Sequence, residues 1–111
     1  MPGLHNMLAI QTAYKMINVR INDIIYLEES GAYLILHTTK AKIRIPHHKN
    51  FIEDKLPTNQ FSRIHKSFIV SVNFLDSIEK RWVKIGQKEL PIGDSYKDSF
   101  QQFLDANFKK I

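Results

Sequence analysis

The chain has 111 residues, of which 43% are hydrophobic, and its formal charge is +5. This length suits one domain with a modest core and leaves little material for a deep catalytic cavity. The absence of cysteine excludes disulfides, thiolate zinc sites and thiol nucleophiles. Neither a secretion signal nor an apolar run of roughly 18 residues is present. We therefore expect a soluble, cytoplasmic chain without a cofactor, in which residues 1–7 are an extension or linker remnant and residues 8–111 form one domain.

The positive charge is concentrated in the middle of the chain. Between Ser30 and Leu75 there are seven basic residues and two acidic ones, whereas the rest of the chain is balanced. Four of the five histidines also lie in this segment. Such an asymmetry indicates a polyanionic partner, and a solvated basic face without any partner is the alternative.

The first predicted elements are strands. Ile24–Leu27 and Tyr33–His37 are rich in residues that suit a half-buried sheet, and Ser30-Gly31 between them suits a turn. Lys42–Ile45 alternates strictly, which predicts Ile43 and Ile45 in the core. Lys42 and Arg44 would then lie on the outer face, where they are free to contact phosphate.

The next predicted elements are a short helix and a hairpin. The spacing of Phe51, Ile52, Lys55 and Leu56 predicts a helix of about two turns that Pro57 ends. Trp82–Ile85 and Lys88–Ile92 flank Gly86-Gln87, which predicts a hairpin with Pro91 at an edge.

The last predicted element is an amphipathic C-terminal helix. Asp94 or Ser95 is expected to cap it, because both residue types accept hydrogen bonds from the first free amides of a helix. The apolar stripe consists of Tyr96, Phe100, Phe103, Leu104 and Phe108.

The segment Phe61–Val72 fits neither strand nor helix periodicity throughout. We expect a sharp change of direction at His65-Lys66-Ser67, held between apolar anchors on both sides. A cation, an imidazole and a hydroxyl on such a turn can reach phosphates or base edges. Alternatively, His65 is a buried histidine and Ser67 a helix cap, whereas Lys66 does not suit a core position.

Four strings of this chain resemble the LytTR family of bacterial DNA-binding domains, the output modules of many two-component response regulators. They are Asn22–Glu28, Gly31–Tyr33, Phe61–Val70 and Leu90–Tyr96, and their order and spacing carry the resemblance. The likeness extends from about Leu8 to Leu104. It implies a mostly β fold of elongated antiparallel sheets with short helices and a C-terminal amphipathic helix.

The resemblance also implies three loops that contact successive major grooves of duplex DNA. Carried over residue by residue, these contacts fall at or near Tyr33, Lys66, and Asp94 with Ser95. For Tyr33 we favour cross-strand packing, and His65 and Ser67 are either contacts or supports. The charge pattern adds four candidate phosphate contacts: Lys42, Arg44, Lys49 and Arg63.

Two positions depart from the family pattern. Ser71 stands where members often have Asn, and Asp94 stands where they often have a basic residue. Because a carboxylate cannot donate to phosphate, we interpret Asp94 as a helix cap.

Other functions are less well supported by the sequence. An enzyme would have to use His47, His48 or His65 with Glu53 or Asp54, but adjacent histidines on an extended segment point to opposite faces, and no catalytic or metal motif is present. An RNA-binding or protein-docking module is the stronger alternative. A receiver domain would lie in the parent protein if this chain is a fragment, and a second copy could occupy paired repeat sites.

Overall fold

The computed structural model describes residues 6–46 and 52–111. It divides into two compact units, Met1–Leu56 and Pro57–Ile111. Antiparallel strands dominate both units, as the sequence predicts.

Five strands form the described part of the first unit. They are β1 (Met7–Gln11), β2 (Met16–Arg20), β3 (Ile24–Ser30), β4 (Tyr33–Thr38) and β5 (Lys42–Pro46), with a 3-10 turn at Ile21–Asp23. β1 pairs with β2, and β4 pairs with β3 on one side and β5 on the other. The predicted pairing of β3 with β4 is confirmed, whereas the β1–β2 hairpin lies outside the elements predicted from the sequence.

The turn between β3 and β4 depends on Gly31. Ser30 pairs with Tyr33, so that the turn has two residues, and Gly31 has a φ of 60°. Residues with a Cβ rarely adopt this conformation, and a glycine at the first position of a two-residue hairpin turn matches the twist of the strands.

Alternation along β4 and β5 separates a core face from an outer face. Leu34, Leu36 and Ile45 are buried, and Ile43 is half-buried. Lys42 and Arg44 are exposed on the opposite face. The prediction for this strand is therefore confirmed.

The two-turn helix predicted after β5 is wrong. The structure has one 3-10 turn at Ile52–Lys55. Pro57 disfavours a helical conformation at the residue before it, so the turn cannot continue. Phe51, which contributed to that prediction, lies outside the described residues.

The second unit contains a hairpin, a small sheet and a helix. Its strands are β6 (Phe61–His65), β7 (Phe68–Ser71), β8 (Ser77–Ile78), β9 (Trp82–Ile85) and β10 (Lys88–Pro91), and its helix is α1 (Lys97–Asn107). β6 pairs with β7, and the sheet has the order β10-β9-β8. Further 3-10 turns cover Val72–Phe74 and Asp94–Tyr96. The predicted β9–β10 hairpin is confirmed, with Gly86 at a φ of 58° and Pro91 on an edge strand.

The C-terminal helix buries two of the five residues of the predicted stripe, and Tyr96 and Phe108 lie outside the helix. Phe100 and Leu104, four residues apart, are 3% and 7% exposed, and this spacing places them on one helix face. Phe108 follows the helix in extended conformation and is exposed. The predicted cap is wrong, because α1 begins after Tyr96, without a side-chain cap, and Asp94 and Ser95 lie in the preceding 3-10 turn.

Candidate nucleic-acid interface

The outer face of β4 and β5 presents an aromatic ring and two cations. Tyr33 is 45% exposed, so its ring is not part of the core. The guanidinium of Arg44 lies 5.1 Å from the centre of that ring, which is within cation–π distance. Tyr33 therefore packs across strands, as favoured from the sequence, and does so on the exposed face.

Glu28, an acidic residue of β3, is paired with a histidine. Glu28 Oε1 lies 2.9 Å from His37 Nε2, and the His37 ring stacks on Tyr26 with centroids 4.0 Å apart. Burial raises the pKa of the Tyr26 phenol, and the Glu28 carboxylate raises it further. Within residues 6–46 and 52–111, neither Lys42 nor Arg44 forms an ion pair. Their charges are thus available to an anion.

In the second unit, β6 and β7 meet at the two-residue turn Lys66-Ser67. His65 pairs with Phe68 and Arg63 with Ile69, so the intervening Ile64 is a bulge residue. A bulge adds one residue to one strand and disrupts the alternation of its side chains. Ile64 is consequently fully buried at the base of the turn. This bulge is the physical reason why Phe61–Val72 fits no single periodicity.

Most polar groups of this turn bind one another. Arg63 Nη1 donates to the carbonyl oxygens of His65, at 3.2 Å, and Lys66, at 2.7 Å. The Ser67 amide donates to His65 Nδ1 at 3.0 Å, and the His65 ring packs at 5.5 Å from Phe68. His65 is therefore a half-buried support of the turn, and Ser67 is a turn residue rather than a helix cap.

Lys66 differs from its neighbours in this turn. Its side chain is exposed, and its ammonium forms no ion pair with any described residue. The hydrogen bonds around it fix the backbone that carries it. The turn thus holds one available cation on a rigid base.

The loop between β10 and α1 packs against the β6–β7 turn. The Gly93 amide donates to the Ile64 carbonyl at 2.8 Å. A Cβ at Gly93 would lie 3.5 Å from His65 Cδ2 and 3.1 Å from Tyr96 Cδ2. A side chain at this position would thus be tight only against Tyr96 of the same loop and would make an ordinary van der Waals contact with His65. Two of the three predicted contact loops, those of Lys66 and of Asp94 with Ser95, are adjacent.

Asp94 is paired within its own loop. Its Oδ1 lies 3.0 Å from Lys97 Nζ. The Lys97 ammonium, by hydrogen bond and by charge, lowers the pKa of the Asp94 carboxyl, and Arg81 lowers it further. Ser95 beside it is exposed. Sequence reasoning missed Lys97 and Arg81 as basic residues of this loop region, although the i, i+3 spacing of Asp94 and Lys97 is a recognisable signal.

Residues 14–105 match the LytTr DNA-binding domain family. The chain belongs to this family. The resemblance inferred from the four sequence strings is thereby confirmed, and the family is one of DNA-binding domains rather than of enzymes.

A solved LytTr DNA-binding domain from Bacillus cereus, part of a protein named as a methyl-accepting/DNA response regulator, has the same fold. Its TM-score to this chain is 0.76 at 23% identity, and the alignment covers 89% of this chain and 96% of that one. A search of curated proteins finds no match.

The structure accounts for one departure from the LytTr pattern. Ser71 is fully buried, and its Oγ accepts a hydrogen bond from the Asn73 amide at 3.3 Å. The residue therefore caps the 3-10 turn that follows β7.

Three residues named in the sequence analysis of this LytTr domain are not among the described ones. Lys49, a predicted phosphate contact, and His47 and His48 lie outside the described residues. In the described part of the chain, no cluster of three or more His, Asp or Glu could hold a metal ion. None of the described helices is long and apolar enough to cross a membrane.

Proposed function

We propose that this LytTr domain binds duplex DNA in a sequence-specific manner, as the output domain of a bacterial two-component response regulator in the cytoplasm. The observation that carries the proposal is the family match over residues 14–105. The Bacillus cereus domain of the same fold belongs to a protein named as a response regulator. In this proposal, a receiver domain in the parent protein controls the domain, and occupancy of DNA changes transcription.

Lys66 is the proposed base-reading residue. An exposed cation on a rigid two-residue turn can reach into a major groove, where lysine donates to guanine O6 and N7. The hydrogen bonds of Arg63 and His65 reduce the conformational freedom that the turn would lose on binding. Ser95 is a second candidate contact, since it is exposed in the adjacent loop.

The proposed backbone contacts are Lys42, Arg44 and Lys49. Lys42 and Arg44 are exposed on one strand face, and their charges would neutralise phosphates without reading sequence. The Tyr33 ring lies 5.1 Å from the Arg44 guanidinium, so the two side chains would meet the backbone together. A second copy of the domain on a paired repeat site would double these contacts.

Selection of bound sequences from random duplex DNA tests this function directly. We expect an enriched motif, and the recovered spacing of repeats reports whether two copies bind. Affinity for the enriched duplex should then fall as salt rises, because binding releases counterions. Failure to enrich any sequence, or an affinity indifferent to salt, would contradict the proposal.

Competition separates DNA binding from the RNA-binding alternative. Phe61 and Ile69 are buried, so these apolar residues of the motif anchor the hairpin and cannot stack on bases. We expect single-stranded RNA to compete poorly with the selected duplex. Stronger binding to the RNA would favour the alternative function.

A further inference from the structure

We infer that Arg63 is a positioning residue for Lys66 and makes no phosphate contact of its own. The inference rests on the proposed function, since it concerns the same DNA-binding turn. It replaces the interpretation of Arg63 as one more cation of the basic segment.

The geometry of the guanidinium carries this assignment. Arg63 Nη1 donates to both carbonyls that flank the start of the turn, His65 O at 3.2 Å and Lys66 O at 2.7 Å. These carbonyls belong to the peptide groups on either side of the Lys66 Cα, so one nitrogen that binds both holds the two peptide planes in place. The guanidinium therefore fixes the Cα–Cβ direction from which the Lys66 side chain extends.

The surroundings of Arg63 agree with such a role. The residue is half-buried and paired with the buried Ile69 in the β6–β7 hairpin, whereas Lys66 is exposed. Nη1 could bind a phosphate only by releasing two carbonyls, one of them bound at only 2.7 Å. A hydrogen bond from a charged donor is among the stronger ones in proteins, so this release would offset part of what a phosphate contact contributes.

Lysine is the substitution that separates the two roles. The Arg63→Lys variant keeps the charge, and a lysine ammonium can still bind a phosphate as a point charge. A single ammonium on a flexible stem does not reproduce the fixed orientation of the guanidinium. A phosphate contact would therefore survive this change, whereas positioning would not.

The experiment measures the affinity of wild type and Arg63→Lys for the selected duplex and for a scrambled duplex across a salt series. We expect affinity for the selected duplex to fall about tenfold, the order of one lost charge-assisted hydrogen bond. Affinity for the scrambled duplex and the salt slope should stay unchanged. The matched control is Lys42→Ala, for which both duplexes should bind more weakly and the slope should fall by about 0.9, the value for one phosphate.

The outcomes are distinct. Wild-type affinity of Arg63→Lys for the selected duplex, or an equal loss on both duplexes, would overturn the positioning role while the proposed function stands. Absence of specific binding by the wild type would overturn the proposed function and this inference with it.

A second measurement needs no variant. In NMR spectra of the wild type, DNA should shift the side-chain signals of Lys66 and leave the guanidinium signals of Arg63 in place. A shift of Arg63 as large as that of Lys66 would also overturn the inference.

Discussion

The β4–β5 face and the β6–β7 turn present positive charge in different ways. On the strand face, alternation alone turns Lys42 and Arg44 outward, and no hydrogen bond from the described residues fixes the Lys42 side chain. In the turn, Arg63, His65 and Ser67 form a local hydrogen-bond network, and Lys66 remains exposed. The face supplies charge with little orientation, whereas the turn supplies one oriented cation. We therefore expect the face to govern affinity for any DNA and the turn to govern selectivity.

The largest expected effect is that of Lys66→Ala. Loss of a side chain that reads a base should cost about 1 to 3 kcal/mol of binding free energy on the selected duplex. The loss on a scrambled duplex should be smaller, because only a nonspecific charge is removed there. Titration of both duplexes at one salt concentration measures the difference.

The control for this variant is Lys88→Ala, an exposed lysine of the β9–β10 hairpin. It removes the same charge at a position outside the proposed contacts, so both affinities should remain close to wild type. If a folded Lys66→Ala variant kept wild-type affinity, the turn would not be part of the DNA interface. The proposed difference between the β4–β5 face and the β6–β7 turn would then be wrong.

Lys42→Ala should weaken binding to a smaller extent and equally on every duplex. A residue that contacts only phosphate carries no sequence information, so the specificity ratio should not change, although the salt slope should fall by about 0.9. Affinities for several unrelated duplexes at a series of salt concentrations provide both quantities. A loss confined to the selected duplex would show that the strand face also reads sequence.

The same contrast explains how much of the molecule could be predicted. Strict alternation predicts β5 and its exposed cations, because a strand has one period and two faces. The glycines at positions 31 and 86 locate two hairpin turns for an equally local reason, a positive φ. The β1–β2 hairpin also has a sequence signal, because apolar residues occur at positions that pair across it, Ile10 with Ile17 and Leu8 with Val19.

The organisation of the β6–β7 turn could not be predicted in this way. Its bulge at Ile64 shifts the register between Arg63 and His65, and its hydrogen bonds join side chains to backbone atoms two or three residues away. Neither feature has a period that sequence inspection can detect. The Gly93 amide and the Ile64 carbonyl that it binds are 29 positions apart, and no local pattern indicates such a contact. Charge alone likewise does not distinguish Arg63, which binds the turn carbonyls, from the exposed Lys66.

Gly93→Ala tests the link between the turn and the β10–α1 loop. The added methyl would lie 3.1 Å from Tyr96 Cδ2, so the Tyr96 ring must move by a few tenths of an ångström, and 3.5 Å from His65 Cδ2, which is a new van der Waals contact with that ring. We expect a loss of about 1 kcal/mol in the free energy of unfolding, at the low end for overpacking, and altered amide shifts at Ser67. Urea denaturation and NMR spectra measure the two effects.

Ser95→Ala is the matched control for Gly93→Ala, since Ser95 is exposed two residues along the same loop. Its stability should remain within about 0.5 kcal/mol of wild type. Wild-type stability and an unchanged Ser67 amide in the Gly93→Ala variant would show that the two loops are not coupled through His65.

The smallest expected effect concerns the charge of Asp94. Because Lys97 lowers the pKa of this carboxyl, folding favours its ionised form. The resulting contribution to stability is present above the usual pKa of 3.8 and is lost as pH falls through the lower pKa of the folded chain.

In Lys97→Gln, the Asp94 pKa should rise toward 3.8, as measured by NMR titration of carboxyl carbons. Asp105, whose pKa is lowered by Lys110 and Gln101, provides an internal control and should titrate as in the wild type. An unaltered Asp94 pKa would mean that Lys97 does not engage the carboxylate in solution. The Asp94 carboxylate would then be unpaired beside the β6–β7 turn. Its negative charge would offset that of Lys66, so the turn would present less net positive charge to DNA than the β4–β5 face does.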